Sequence, residues 1–328
     1  MQIFNIAIQR LKIFILPLLL SAATPACSNN GAQRDQDSTS TTSEASFSGA
    51  KTADLNSVSS KDDSIFRAKI AAAKAQKLES LPIGERIVAA GKLFLGVPYV
   101  GGTLDIDSNQ ERLIINLQGL DCVTFYENAL AFARILKKYP NPTLKNYQDE
   151  LTFLRYRDGA MNGFHSRLHY SIDYFRNNEK KGVLKIVTLE VGGTSAVKET
   201  ETIDFMSTHR SAYKQLAKDD SEFAAIKRME QEVSKDGGYY YVPKEKIESI
   251  ESKIQPGDIL GITTAINGLD CSHTGIAVRG EDGRIHFMHA SSLLKQVVIS
   301  EEPLAEYLTH SSKQTGIVVN RPIEVQTK

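Results

Sequence analysis

The chain has 328 residues, 39 basic and 39 acidic side chains, and 41% hydrophobic residues. That length and apolar content suffice for one large domain or two small ones. A formal net charge of zero argues against nucleic acid or an anionic lipid surface as a main partner.

Arg10 and Lys12 precede an apolar run over residues 13–23, which is too short to span a bilayer as a stable helix. A charged start, an apolar middle and a small-residue end are the pattern of a secretory signal. Thr24-Pro25-Ala26-Cys27 resembles a bacterial lipobox, in which the cysteine is lipidated after cleavage, although Thr24 stands where a leucine-like residue is usual. Ordinary cleavage after Ala26 is the plainer alternative. Both readings export the protein. The first also anchors it to a membrane through Cys27, as a periplasmic or outer-membrane lipoprotein of a bacterial envelope. Residues 28–63 are rich in Ser, Thr, Asn, Asp and Gly and poor in large apolar residues. Such a stretch does not bury enough surface to offset its ordering entropy, so it predicts a flexible tether.

A folded region is expected over residues 64–328. Residues 64–79 predict a helix, and Pro82 stands near the start of a second that runs to about Leu95. An apolar helix pattern covers residues 123–138 and stops before Pro140, and another helix is expected at 146–156. The branched residues Ile186, Val187 and Val191 predict a strand over 184–191. Residues 223–233 read as a helix and 239–242 as a short aromatic strand. Strands follow at 259–263, after the turn Gln255-Pro256-Gly257-Asp258, and at 274–278 and 285–289, joined as a hairpin across 280–283. Residues 317–319 are expected to close the sheet. Helices gather early and strands late, which predicts an α+β fold with a helical part packed on an antiparallel sheet. Residues 147–241 read as an insert that shapes a substrate pocket.

The stretch Gly119-Leu120-Asp121-Cys122-Val123-Thr124-Phe125 puts a cysteine at the first turn of the 123–138 helix, behind Asp121 as a good N-cap. The free amides and dipole of that turn favour an anion, so a lowered thiol pKa is expected there, and the thiolate is the nucleophile. The plainer reading makes Cys122 a small buried hydrophobe. Gly-Leu-Asp-Cys recurs at 268–271, but there a strand pattern follows rather than a helix, which favours Cys122 over Cys271 as nucleophile. A Cys122–Cys271 disulfide is permitted in an oxidising compartment but would consume that nucleophile. Cys271 and His273 are one residue apart, a poor match to zinc-ligand spacing, and no CxxC occurs, so neither a metal nor a cofactor is expected.

His273 opens the strand at 274–278. A histidine at a sheet rim facing a helix N-terminus suits a general base, although strand-start histidines are more often surface residues. His289 ends the return strand and is the candidate for orienting His273 through its second ring nitrogen. A three-residue connection sets the two histidines opposite each other on one face. A four-residue connection pairs Ile276 with Phe287 and sends them to opposite faces. The sequence leaves both open.

Several blocks then occur in order: Tyr99 with Gly101-Gly102, Asp121-Cys122, Pro256-Gly257-Asp258, His273-Thr274-Gly275-Ile276 and His289-Ala290-Ser291. In that order they resemble the NlpC-type papain-like cell-wall hydrolases, over residues 64–322. Within that superfamily, the stretches at 154–159, 166–170, 204–209, 268–270 and 315–317 look like the N-acetylmuramoyl-L-alanine amidase-like branch. The resemblance implies a papain-like fold and cleavage of the amide between N-acetylmuramic acid and L-alanine in muropeptides, above all anhydro-muropeptides. The superfamily's commoner reaction cuts between D-glutamate and a diamino acid. That endopeptidase activity and a catalytically inactive wall-binding lipoprotein are the alternatives. The catalytic set expected is Cys122, His273 and His289, with Tyr99 assisting at the oxyanion. Arg167, His169 and His209 are candidate contacts to substrate carboxylates or hydroxyls, because an Arg offers a planar fork of donors. For Arg167 and His169 a purely structural hydrogen-bond network is the equal alternative.

Overall fold

The computed structural model of the protein describes residues 58–105, 110–235 and 237–326. The leader, Cys27 and most of the tether lie outside the described residues.

The first helix, α1, spans Ser60–Ala75 and starts inside the stretch expected to be tether. The reason is local: Ser59 is an N-cap whose hydroxyl accepts from the Asp62 amide at 3.0 Å, and Asp62 and Asp63 complement the dipole of the first turn. Helices α2 (Ile83–Lys92), α3 (Cys122–Lys138), α4 (Leu144–Arg155) and α5 (Ser171–Lys180) follow. After β1 (Leu184–Ile186) the chain turns into α6 (Thr188–Gly192), so the strand expected over 184–191 is only three residues long. Val187 and Val191, four apart, are buried on one face of that turn, which is helical spacing. Then come β2 (Val197–Glu199), α7 (Phe205–Thr208), α8 (Lys214–Lys218), α9 (Asp220–Lys235), β3 (Tyr239–Pro243), α10 (Ile247–Ile250), β4 (Ile259–Thr264), β5 (Cys271–Arg279), β6 (Ile285–Ser291), β7 (Gln296–Ile299), α11 (Leu304–Tyr307) and β8 (Gln314–Pro322).

The strands form one antiparallel sheet in the order β2-β3-β8-β4-β5-β6-β7, and β1 also pairs with β8. β8 therefore does not close the sheet, as expected for 317–319, but lies inside it between β3 and β4. Its run Ile317, Val318 and Val319 is buried on both faces, the pattern of a central strand. The fold is α+β, with helices on both faces. One face carries Ile259, Ile276, Val278, Met288 and Val318 against α1–α5. The other carries Leu260, Ile262, Phe287, Ile317 and Val319 against α6, α10 and α11. A third cluster, with Phe164, Tyr170, Leu216, Ile226 and Met229, is a core of the inserted region itself. The middle and the end of the 147–241 region belong to the main fold, since β1 and β3 pair with β8.

Helix α3 is buried continuously from Thr124 to Leu136. It holds α4 through ions as well as apolar contacts: Arg155 Nε donates to Glu127 at 2.9 Å and Arg134 Nε to Glu150 at 2.5 Å, all four side chains being nearly solvent-free. This fixes the axis along which the Cys122 end of α3 points.

Candidate active site

Asp121 and Thr124 close a reciprocal capping box at the tip of α3. The Thr124 amide donates to Asp121 Oδ1 at 2.8 Å, and the Asp121 amide donates to Thr124 Oγ1 at 2.9 Å. The approach to this cap is tied to the sheet. Leu120 donates to the Pro98 carbonyl at 2.9 Å, Val100 to that of Leu120 at 3.0 Å, and Tyr99 to that of Lys295 at 2.8 Å. Gly119 is required in this crossing, because a Cβ there would stand 2.5 Å from Val100 Cγ2. Tyr99 is thereby set beside Cys122, whose charge, after burial, raises the phenol's pKa.

The β5–β6 ladder runs from Arg279–Ile285 to Ile276–Met288. The connection is thus residues 280–284, longer than either loop considered from the sequence. Extending the ladder's register one step past its last pair, Ile276–Met288, sets His289 across from Gly275 rather than His273, so His273 and His289 fall on the same face but diagonally. Beyond Ile276, β5 remains paired with β4 and β6 with β7. His273 Nε2 lies 2.7 Å from His289 Nδ1, with the rings at right angles. His289 stacks on Phe287 at 4.8 Å. The structure therefore brings these two histidines together.

Cys122 meets the next residue of the same strand. The Thr274 backbone and hydroxyl face its sulfur and oppose the rise in its pKa. The Thr274 hydroxyl is buried and makes no ordinary hydrogen bond among the described residues, so the sulfur is its neighbour of consequence. The sequence singled out His273 and passed over Thr274; strand alternation, which turns successive side chains to opposite faces, was the available signal.

The thiol is not held ionised at rest, contrary to the sequence expectation. Burial, reinforced by the adjacent Asp121 carboxylate, pushes Cys122 up to about 11. Burial pulls His273 down to about 4, and burial with the neighbouring His273 ring pulls His289 down to about 3. The helix-tip contribution is outweighed because desolvation penalises any lone charge. Cys122 and Cys271 are both free thiols, and Cys271 is buried at the start of β5.

A cleft of about 760 Å³ opens at the imidazole pair, with Ser272, His273, His289, Ser291, Leu293 and Tyr307 in its wall. None of Cys122, Tyr99, Arg167, His169 and His209 is among its lining residues. Arg167 is buried, and its guanidinium donates to the Leu104 carbonyl at 3.1 Å and to Asp105 at 2.6 Å. His169 Nε2 bonds the Phe164 carbonyl at 2.8 Å, and burial drives its pKa well down. His209 is exposed, stacked on Phe205 at 4.1 Å, with Nδ1 on the Phe205 carbonyl at 2.9 Å. Among the described residues no group of three His, Cys, Asp or Glu is arranged to hold a metal ion.

Helices packed on an antiparallel sheet, a capped thiol at a helix tip and a bonded imidazole pair lining a cleft are the outline of a hydrolase class. The particular family follows from comparison. A family model described as AmiA-like, N-acetylmuramoyl-L-alanine amidase-like, matches residues 89–317, and the chain belongs to this amidase-like family of cell-wall hydrolases. A crystal structure of an N-acetylmuramoyl-L-alanine amidase from Bacteroides uniformis is similar at 38% identity and a TM-score of 0.67, over 74% of this chain and 99% of that one. A Bacteroides fragilis structure carrying the name xylanase is similar at 36% identity and a TM-score of 0.64, over 71% of this chain and 99% of that one. A Legionella pneumophila protein at 21% identity and a TM-score of 0.61, over 81% of this chain and 96% of that one, shows the fold alone. No curated protein matches in sequence.

Proposed function

We propose that the protein is an exported cysteine amidase of papain-like fold that cleaves the amide between N-acetylmuramic acid and L-alanine in muropeptides, with anhydro-muropeptides as the preferred form. The observation that carries this reading is the bonded pair His273–His289, with His273 on β5 directly before Thr274, whose side chain faces the Cys122 sulfur. Family membership supplies the bond class. The leader pattern and the lipobox-like stretch ending at Cys27 support a home in the envelope.

The chemistry follows from the resting protonation states. The mechanism takes the tautomer in which His273 Nε2–H donates to His289 Nδ1 across their 2.7 Å contact, which leaves the lone pair on His273 Nδ1 as the base. Thr274 rather than His273 faces the sulfur at rest, so this mechanism requires the His273 ring to reach Cys122 in the substrate complex. As Cys122 Sγ attacks the amide carbonyl carbon, its proton then moves to His273, and thiolate and imidazolium form together and offset one another in a site that disfavours either alone. Backbone amides at the tip of α3, with the Tyr99 hydroxyl, stabilise the oxyanion. The carbon–nitrogen bond breaks, His273 returns the proton to the alanine nitrogen, and a thioester of the lactyl group remains. Water, deprotonated by His273, releases the sugar acid. His289 orients His273 throughout. Arg167 ties the insert to the Leu104-Asp105 segment and His169 bonds within the insert, so neither is assigned a substrate contact.

The test is incubation of the protein and its Cys122→Ala variant with defined muropeptides. Free sugar acid plus intact stem peptide, absent with the variant, is expected. Cleavage inside the stem makes the enzyme an endopeptidase, and binding without turnover makes it a wall-binding protein; either outcome overturns the proposal.

A further inference from the structure

We propose that Tyr307 determines specificity by donating its hydroxyl to a peptide carbonyl in the amine half of the substrate, the half that departs with the leaving nitrogen. The assignment rests on the amidase reading above.

Tyr307 ends α11, a helix of four residues between β7 and β8 that carries none of the motif blocks. Its ring is fixed by three others: Phe287 at 5.3 Å, His289 at 5.2 Å and His310 at 6.2 Å. It forms part of the cleft wall with His273 and His289. Such packing is worth more than area burial alone and holds the side chain without using its polar end. No hydrogen bond among the described residues takes up the hydroxyl. Burial, Glu302 and Cys122 push the phenol up to about 12, so it remains a neutral donor throughout the working range.

The chemistry selects the half of the substrate it meets. The imidazole that takes the thiol proton must give it to the leaving nitrogen, so that nitrogen lies on the imidazole side of the sulfur. Tyr307 shares its wall with those imidazoles, so it faces what is attached to the nitrogen, not the sugar. The neighbouring Glu302 disfavours a carboxylate at the hydroxyl, and Leu293, 80% exposed, gives the cleft an apolar rim. A neutral acceptor, the carbonyl of the alanyl residue or its successor, fits both.

The experiment compares wild type with Tyr307→Phe, using 1,6-anhydro-N-acetylmuramyl-L-alanyl-D-isoglutamine as substrate and each product as an inhibitor. Loss of one neutral hydrogen bond corresponds to about a two- to tenfold effect. KM for the substrate and Ki for L-alanyl-D-isoglutamine should rise by that factor, with kcat within about twofold and Ki for 1,6-anhydro-N-acetylmuramic acid unchanged. Unchanged KM and peptide Ki, a rise confined to the sugar acid, or a fall in kcat at constant KM would each overturn the assignment. Thermal melting separates these results from a folding defect. Product analysis of the wild-type reaction stands apart: cleavage at another bond defeats the amidase reading, while the two inhibition constants still report which product Tyr307 touches.

Discussion

His273 and His289 sit diagonally on adjacent strands, joined ring to ring at 2.7 Å, and Gly275, two residues on from His273, packs its backbone against the Met288 carbonyl and the Phe287 ring on which His289 stacks. That spacing makes the imidazole pair depend on a backbone register rather than on any single loop residue.

The glycine gives the most direct test. A Cβ at Gly275 would stand 2.6 Å from the Met288 carbonyl oxygen and 2.7 Å from the Phe287 ring. The first is backbone and yields little, so Gly275→Ala should cost about 1–3 kcal/mol by overpacking. Displacing Phe287, on which His289 stacks, should also lower kcat well beyond the loss of folded protein. Urea melts and kinetics at a temperature where the variant is fully folded distinguish the two effects. A variant with wild-type stability and activity would show that the close approach is not there.

Acid should destabilise the protein through the pair. With pKa values of about 4 and about 3 in the fold, against 6.5 unfolded, the unfolded chain binds more protons between those limits. Stability is therefore complete above pH 6.5 and falls as the pH drops toward 3. Each histidine removes at most about 1.4 kcal/mol for every pH unit crossed between its unfolded and folded values. Asp270, raised to about 6 by burial, works in the opposite direction, so the informative quantity is a difference. His289→Gln should flatten the pH dependence relative to wild type; parallel curves would show that the pair does not titrate in this window.

The resting thiol should be sluggish. At about 11, only roughly one Cys122 in ten thousand is thiolate at pH 7. Alkylation of Cys122 by iodoacetamide, followed by site-resolved mass spectrometry, should accelerate continuously from pH 7 to beyond pH 9. A plateau reached below pH 7 means that a thiolate–imidazolium pair exists before substrate arrives, and the concerted proton transfer is then wrong.

The ion pair behind α3 should matter to folding, not to chemistry. Arg155 and Glu127 are almost fully buried, and Arg155 also donates to the Ile114 carbonyl at 2.7 Å. Arg155→Leu leaves an unpaired buried carboxylate and should cost about 3–5 kcal/mol. Glu127→Gln combined with Arg155→Met should recover much of this loss. Denaturation midpoints decide it, and a double variant no more stable than the single one contradicts the charge explanation.

Much of the site was legible in the chain because its signals are local. Asp121 followed by Cys122, and Thr124 three residues beyond Asp121, is a cap written within four residues, and the structure shows both of its bonds. The apolar period after it predicted α3 to within a residue of Cys122–Lys138. Short-range patterns likewise found the strand cores of β4, β5 and β6. Ser59, the true start of α1, was missed because a polar, low-complexity stretch masked its cap.

What the sequence by itself determined is which residues cap, alternate and turn, since those preferences are settled by neighbours along the chain. The tertiary structure alone decided the register that sets His289 diagonal to His273, the place of β8 inside the sheet, and the engagement of Arg167 by Leu104 and Asp105. It also reversed the expected sign at Cys122, because desolvation comes from atoms far away in sequence and here exceeds the field of the helix to which the thiol belongs.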